Sequence, residues 1–378
     1  MKKLIKLALA ITLIFSFFAL NKQNAFASAV QPKAYFLIDY NTKTVISSHN
    51  ENEKLPIASM TKIMLLNLIY KNEKNSKINF EDEIIVSENA SSMGGSQVFL
   101  ERNGKYKIKD LVKAITVASA NDASVAMAEA LYGSEENCVK EMNNEALRLN
   151  LKNTQFQNCT GLSKPMHYSS AKDIATLFCE LISYDKYFEF SKVWLDKINH
   201  SKNFTEITNT NKLVKYYEGC DGGKTGFTNE AGFCLTATAK RGNMRLVACV
   251  IGADSSKNRF KCVSDLFNEG FNTYTNKCVL DKNIPLDEKA TIIGGKKDKI
   301  EIICKNSFFI FTKKQNNPNV KVINEISKLK APIKKGDIVG ESIVFKDGVE
   351  IGRVNLISNE TVKCKTYFDY ISDIVTNF

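Results

Sequence analysis

Histidine is scarce in this 378-residue chain. Its three copies, His49, His167 and His200, stand apart from any cysteine or acid at ligand spacing. That excludes an imidazole-based metal centre as the seat of the chemistry, and no metal or other cofactor is expected. Cysteine is present at ten residues, but no Cys-x-x-Cys pair occurs and the ten are scattered. Neither a zinc ribbon nor a compact disulfide scaffold fits that pattern. Cys234 and Cys249 fall in apolar, strand-like stretches, where a thiol serves as a small hydrophobe. After the first two dozen residues no run is apolar enough to cross a bilayer. Internal repeats and low-complexity tracts are missing too. The formal charge of +11 is spread thinly over lysines, with no arginine-rich or aromatic-interleaved patch. No nucleic-acid partner is therefore expected.

The N-terminus carries a clear signal. Lys2, Lys3 and Lys6 precede an uncharged apolar run over 7–20, and Ala25-Phe26-Ala27 supplies a small-x-small cleavage site. This reads as a secretory signal peptide over 1–27, so the protein is expected to be exported, to the wall or the outer face of the cytoplasmic membrane. Cleavage there removes four lysines and no acid, leaving a charge of about +7. The remaining length and the 44% hydrophobic content support two folded units.

Residues 34–39 and 44–47 read as paired strands. Apolar residues recur at helical spacing over 60–70, 109–119, 122–132, 135–150 and 170–183. A glycine-rich turn at 219–223 leads into Lys224, and 234–240 with 244–251 form a hairpin. A closing helix is expected over 255–275. Beyond it the texture shifts to short strands with Gly and Lys turns, the mark of a separate β unit over 278–362. The tail, 363–378, places Phe368, Ile371, Ile374, Val375 and Phe378 at helical spacing. That helix either lies on a membrane surface or docks on its own protein; Asp369 and Asp373 on its polar face keep both readings open.

Three short motifs carry chemistry. In Ser59-Met60-Thr61-Lys62 the i,i+3 spacing puts a hydroxyl beside an amine on one helix face. A serine hydroxyl needs a base, and lysine is one only when burial or a neighbouring cation keeps it neutral. Ser119-Ala120-Asn121 sits at a break between two helices. Lys224-Thr225-Gly226 occurs once, before the hairpin; in a strand Lys224 and Gly226 face one way and Thr225 the other. Taken alone each motif is weak. Ser-x-x-Lys recurs at Ser169, Ser183 and Ser327, and an ordinary N-cap explains a Ser-x-Asn equally well. The ordered trio, each member in a suitable local structure, is the known signature of serine β-lactamases and penicillin-binding proteins.

On these residues the sequence resembles the D-alanyl-D-alanine carboxypeptidases of the peptidase S11 type, low-molecular-weight penicillin-binding proteins. The resemblance extends to 56–64, to Asn158-Cys159-Thr160-Gly161-Leu162 with 167–171 and Asp173, to 224–232 and to 331–340. It implies an α+β fold: a transpeptidase-like catalytic unit over 28–277, with an antiparallel sheet flanked by helices and a helical lobe, followed by the small all-β unit. It also implies roles. Ser59 attacks the penultimate D-Ala carbonyl and Lys62 takes its proton. The backbone N–H groups of Ser59 and Phe227 form the oxyanion hole. Ser119 relays a proton to the leaving amine and Asn121 holds the peptide amide. Lys224 and Thr225 bind the terminal carboxylate, Gly226 admits the substrate backbone, and Lys224 helps keep Lys62 neutral. The implied partners are peptidoglycan stem peptides, with β-lactam antibiotics as inhibitors that acylate Ser59.

Two other readings stay open. A class A β-lactamase uses the same trio but needs a glutamate to activate the deacylating water. The nearest such residues, Glu141 and Glu145, fall in a helical pattern. A non-catalytic wall-binding or β-lactam-sensing protein is expected to have lost a reacting residue, and none of the five reacting side chains is missing.

Overall fold

The computed structural model describes residues 31–376; the expected signal segment 1–27 and Phe378 lie outside them. A five-stranded antiparallel sheet organises residues 34–253. Its strands are β1 (Ala34–Asp39), β2 (Val45–His49), β3 (Cys220–Thr228), β4 (Gly232–Arg241) and β5 (Met244–Ala253), in the spatial order β2-β1-β5-β4-β3. Strand β5 is almost continuously apolar because both of its faces are covered. Val247, Cys249 and Ile251 point into one core, whereas Leu246, Ala248 and Val250 point into another.

The helices on the two faces follow from local signals. Ser170 caps helix α4 (Ala171–Leu181) by accepting the Asp173 N–H (3.2 Å), and Ser255 caps α5 (Ser256–Thr273) through the Asn258 N–H (3.2 Å). In α1 (Lys62–Lys74) the nine residues from Lys62 to Tyr70 are all buried. A helix enclosed on every side has no room for a polar face, and α1 is the axis of the helical lobe. Helices α2 (Asn121–Tyr132) and α3 (Glu135–Arg148) pack around it.

Three local expectations are refined. The helix expected over 109–119 breaks after Lys113 into a wider π turn, Ala114–Ala118, and ends at Ser119 in the left-handed region. The residue inserted by a π turn leaves the apolar spacing almost unchanged, so periodicity does not reveal it. The glycine-rich stretch 219–223 is largely strand. A Cβ on Gly222 would lie 3.0 Å from the Tyr187 ring and 3.1 Å from Ser191 Oγ, so a side chain there would press on both. The closing helix stops at Thr273, and Tyr274–Leu280 pairs as a strand with Phe308–Lys313 across the expected 277/278 boundary.

The remaining chain forms a six-stranded sheet with one parallel pair, Ile292–Leu329, around a core of its own that includes Leu280, Ile302, Val344 and Leu356. Buried Asn276 donates to buried Asp39 at 2.6 Å, tying this region to β1. Helix α6 (Tyr367–Thr376) follows it, with Tyr367 and Phe368 more than 75% exposed. All ten cysteines are free thiols.

Candidate active site

The three motifs meet where edge strand β3 faces the helical lobe. Ser59 lies in a 3₁₀ turn, Ala58–Thr61, that leads directly into α1. The residue before it, Ala58, has φ = 48°, a strained value for a side chain with a Cβ. Two glycines make that turn sterically feasible. A Cβ on Gly161 would fall 2.0 Å from the Ala58 carbonyl oxygen, and one on Gly226 2.6 Å from the Ile57 carbonyl oxygen. Gly226 was expected to admit a substrate backbone; the backbone that crowds it here is the protein's own.

Lys62 is completely buried one turn along from Ser59. Its Nζ donates to Ser59 Oγ (3.0 Å), Asn121 Oδ1 (2.7 Å) and the Thr160 carbonyl (2.6 Å). Burial drives its pKa from 10.5 down to about 7, partly opposed by the nearby Cys159 thiol and Asp122 carboxylate. Of the two means expected from the sequence, burial and a neighbouring cation, burial dominates. Desolvation leads at Lys62. The mutual repulsion is felt at Lys224, whose pKa is pushed well below the usual lysine value by burial first and by Lys62 second.

Lys224 is 1% exposed and donates to Ser119 Oγ (2.7 Å) and the Thr225 carbonyl (3.0 Å). Ser119 reaches that position because the π turn ends on it with φ = 63°. Asn121 opens α2. Its Oδ1 accepts from Lys62 and its Nδ2 donates to the Gly94 carbonyl (2.7 Å), so it braces the amine against the 94–96 segment. Thr225 is 6% exposed, and Phe227 stacks on Phe233 with ring centroids 4.3 Å apart. The structure thus gathers Ser59, Lys62, Ser119, Asn121, Lys224, Thr225 and Gly226 around one cleft, with Phe227 at its rim.

Four participants escaped sequence reading. Arg259, on α5, donates to the Gly226 carbonyl (3.2 Å) and adds a third cation behind β3; burial lowers its pKa. Asp122 is fully buried and accepts from the Val98 (3.1 Å) and Leu100 (3.1 Å) N–H groups, pinning the segment beside Asn121. The Thr160 carbonyl fixes Lys62, and Gly161 admits the nucleophile turn. Gly161 and Thr160 fall inside a segment already singled out, and Asp122 adjoins the second motif. Arg259 carried no signal. Neither acid weighed for a β-lactamase sits in the cleft: Glu145 pairs with Lys71 (2.7 Å) and Arg148 (2.6 Å), and Glu141 lines the same outer depression. Among the described residues no cluster of His, Cys, Asp or Glu has a metal-binding arrangement.

Known proteins share this architecture. The sequence profile of the D-alanyl-D-alanine carboxypeptidase family matches residues 21–255, and that of the penicillin-binding protein 5 C-terminal domain matches 274–364. The chain is 40% identical over 347 residues to D-alanyl-D-alanine carboxypeptidase DacF of Bacillus subtilis, covering 91% of this chain and 89% of that protein. It is 31% identical to D-alanyl-D-alanine carboxypeptidase DacC of Escherichia coli, with 94% and 90% covered. Penicillin binding protein 5 of Haemophilus influenzae superposes with a TM-score of 0.69 at 29% identity, over 88% of this chain and 98% of that one.

Proposed function

The chain belongs to the D-alanyl-D-alanine carboxypeptidase family, and from that premise we propose that it removes the terminal D-alanine of peptidoglycan stem peptides through an acyl-enzyme on Ser59. One observation carries the assignment of residues: Ser59 Oγ lies 3.0 Å from a buried Lys62 amine whose pKa is about 7. An amine titrating there is about half neutral near pH 7, which suits a general base.

The terminal carboxylate sits against Thr225 and the Lys224 amine, with the Arg259 guanidinium behind them. That requirement for a free carboxylate confines the reaction to chain ends. The substrate chain lies along the outer edge of β3, which has no strand partner on that side. Ser59 Oγ attacks the penultimate carbonyl as Lys62 takes its proton. The Ser59 and Phe227 N–H groups hold the developing oxyanion. Ser119, bonded to Lys224, passes a proton to the departing amine. Asn121 orients Lys62 and keeps a second N–H of its amide for the substrate. Water then frees the shortened peptide, and a β-lactam stalls at the acyl stage.

Export through segment 1–27 places this chemistry outside the cytoplasm, where the wall polymer is. Residues 28–277 carry the reaction, and the β unit over 278–362 is followed by α6, which pairs with it through Asp369 and Lys296. Tyr367, Phe368 and Ile371 of α6 are exposed while Asp369 turns inward to Lys296 (2.9 Å), which supports a peripheral membrane contact. Mass spectrometry of a muropeptide pentapeptide tests the central proposal: loss of one alanine supports it. Sustained hydrolysis of a chromogenic β-lactam without alanine release contradicts it.

A further inference from the structure

Behind the nucleophile turn runs a chain of hydrogen bonds that the reaction above does not use. Thr61 Oγ1 lies 2.8 Å from the Ala58 carbonyl oxygen and 2.7 Å from His167 Nε2, and the Gln157 N–H donates to His167 Nδ1 at 3.1 Å. Thr61 is fully buried and His167 nearly so. The two ends of the chain fix every proton in it. A carbonyl only accepts, so the Thr61 hydroxyl donates to Ala58. A backbone N–H only donates, so His167 Nδ1 carries no proton. Burial, and after it the charge of Lys164, lowers the His167 pKa to about 4, so the ring is neutral near pH 7. Its one N–H is therefore on Nε2 and donates to Thr61. The Phe156 ring meets the imidazole edge-on, with centroids 5.9 Å apart, and steadies its plane.

The far end of this chain bears on the reaction. The Ala58 carbonyl and the Ser59 N–H belong to one trans peptide plane and point in opposite directions. Whatever fixes the carbonyl also fixes the N–H. With φ = 48° at Ala58, that plane sits in a conformation an alanine does not hold unaided. A threonine hydroxyl on the carbonyl three residues back is common and by itself means little. Here the hydroxyl is gripped in turn by a histidine of set tautomer, and the carbonyl belongs to the peptide that meets the oxyanion.

We propose that His167 and Thr61 are positioning residues that aim the Ser59 N–H at the developing oxyanion. Both act through the Ala58–Ser59 peptide, and the inference rests on the carboxypeptidase reading of the cleft.

Saturation kinetics with a penicillin test this, because they separate the encounter dissociation constant from the first-order acylation rate. Deleting an oxyanion donor costs about 10²- to 10³-fold, and turning one away should cost about 10- to 100-fold. Thr61→Val and His167→Leu should each slow acylation by that amount while the encounter constant stays within about twofold. The double variant should be no slower than the slower single, since links in series are lost together. Thr61→Ser keeps the hydroxyl, and His167→Gln keeps one acceptor and one donor; both should restore most of the rate. Nitrogen-15 NMR of the natural protein, which needs no variant to fold, should show His167 neutral at pH 7 with its proton on Nε2. Acylation in Thr61→Val and His167→Leu within about threefold of the natural rate overturns the inference and leaves the carboxypeptidase reading intact. So do losses that multiply in the double variant, or a proton on Nδ1. No acylation of the natural protein overturns both.

Discussion

The protonation state of Lys62 sets the rate at which Ser59 is acylated, and pH is the cleanest perturbation of it. Only the neutral amine accepts the serine proton. With a pKa of about 7, the neutral fraction is about nine-tenths at pH 8, half at pH 7, one-tenth at pH 6 and one-hundredth at pH 5. The sign follows from the cause. Burial disfavours the ammonium, so the folded value lies below that of a solvated lysine, and activity rises with pH and levels off above about 8. A lysine at its ordinary value of 10.5 would be neutral in only about 0.03% of molecules at pH 7, against half for Lys62, costing about 1,600-fold in rate. The second-order rate constant for labelling by a fluorescent penicillin, measured by quenched sampling from pH 5 to 9, should climb tenfold per unit at the acid end with a midpoint near 7. The penicillin nucleus carries no group that titrates in that window, so with a fluorophore that does not titrate there either the profile reports the enzyme. A flat profile, or one still rising tenfold per unit at pH 9, would refute burial as the means of activating the base.

Other substitutions probe separate parts of the cleft. Ser119→Ala removes the acceptor 2.7 Å from Lys224 Nζ, and D-alanine release should fall about 10²- to 10⁴-fold with the fold retained; a loss below tenfold, read by steady-state kinetics, argues against a proton route through Ser119. Gly161→Ala sets a methyl 2.0 Å from the Ala58 carbonyl, at φ = 86°, and should lower Tm by on the order of 5–10 °C while suppressing penicillin labelling. Unchanged melting and labelling would show that the nucleophile turn does not depend on that contact. Thr225→Ala should cost a free-carboxylate substrate about tenfold more in kcat/KM than its C-terminal amide; equal losses count against carboxylate anchoring.

The parts of the fold that repeat were legible in the sequence. Helices α1 and α4 showed in the helical spacing of apolar residues over 60–70 and 170–183, and the β4–β5 hairpin in its two runs flanking Arg241-Gly242-Asn243. The site residues were legible as types at spacings, because a serine and a lysine three apart on a helix must meet. Less accessible was everything set by backbone geometry. The π turn that aims Ser119, the strained Ala58 and the carbonyl of Thr160 leave no trace in side-chain pattern. The balance of forces at Lys62 was also hidden. Like-charge repulsion is readable from the presence of a second lysine, whereas the depth of burial that outweighs it depends on how α1 is enclosed.

The account stands on Ser59 being the atom that forms the covalent bond. Intact-protein mass spectrometry after brief exposure to benzylpenicillin, followed by proteolysis and sequencing of the modified peptide, tests this directly. One penicilloyl group per chain on Ser59, lost in Ser59→Ala, is the expected result. An adduct on Ser119 or any other residue, or persistent labelling of the Ser59→Ala protein, would contradict it.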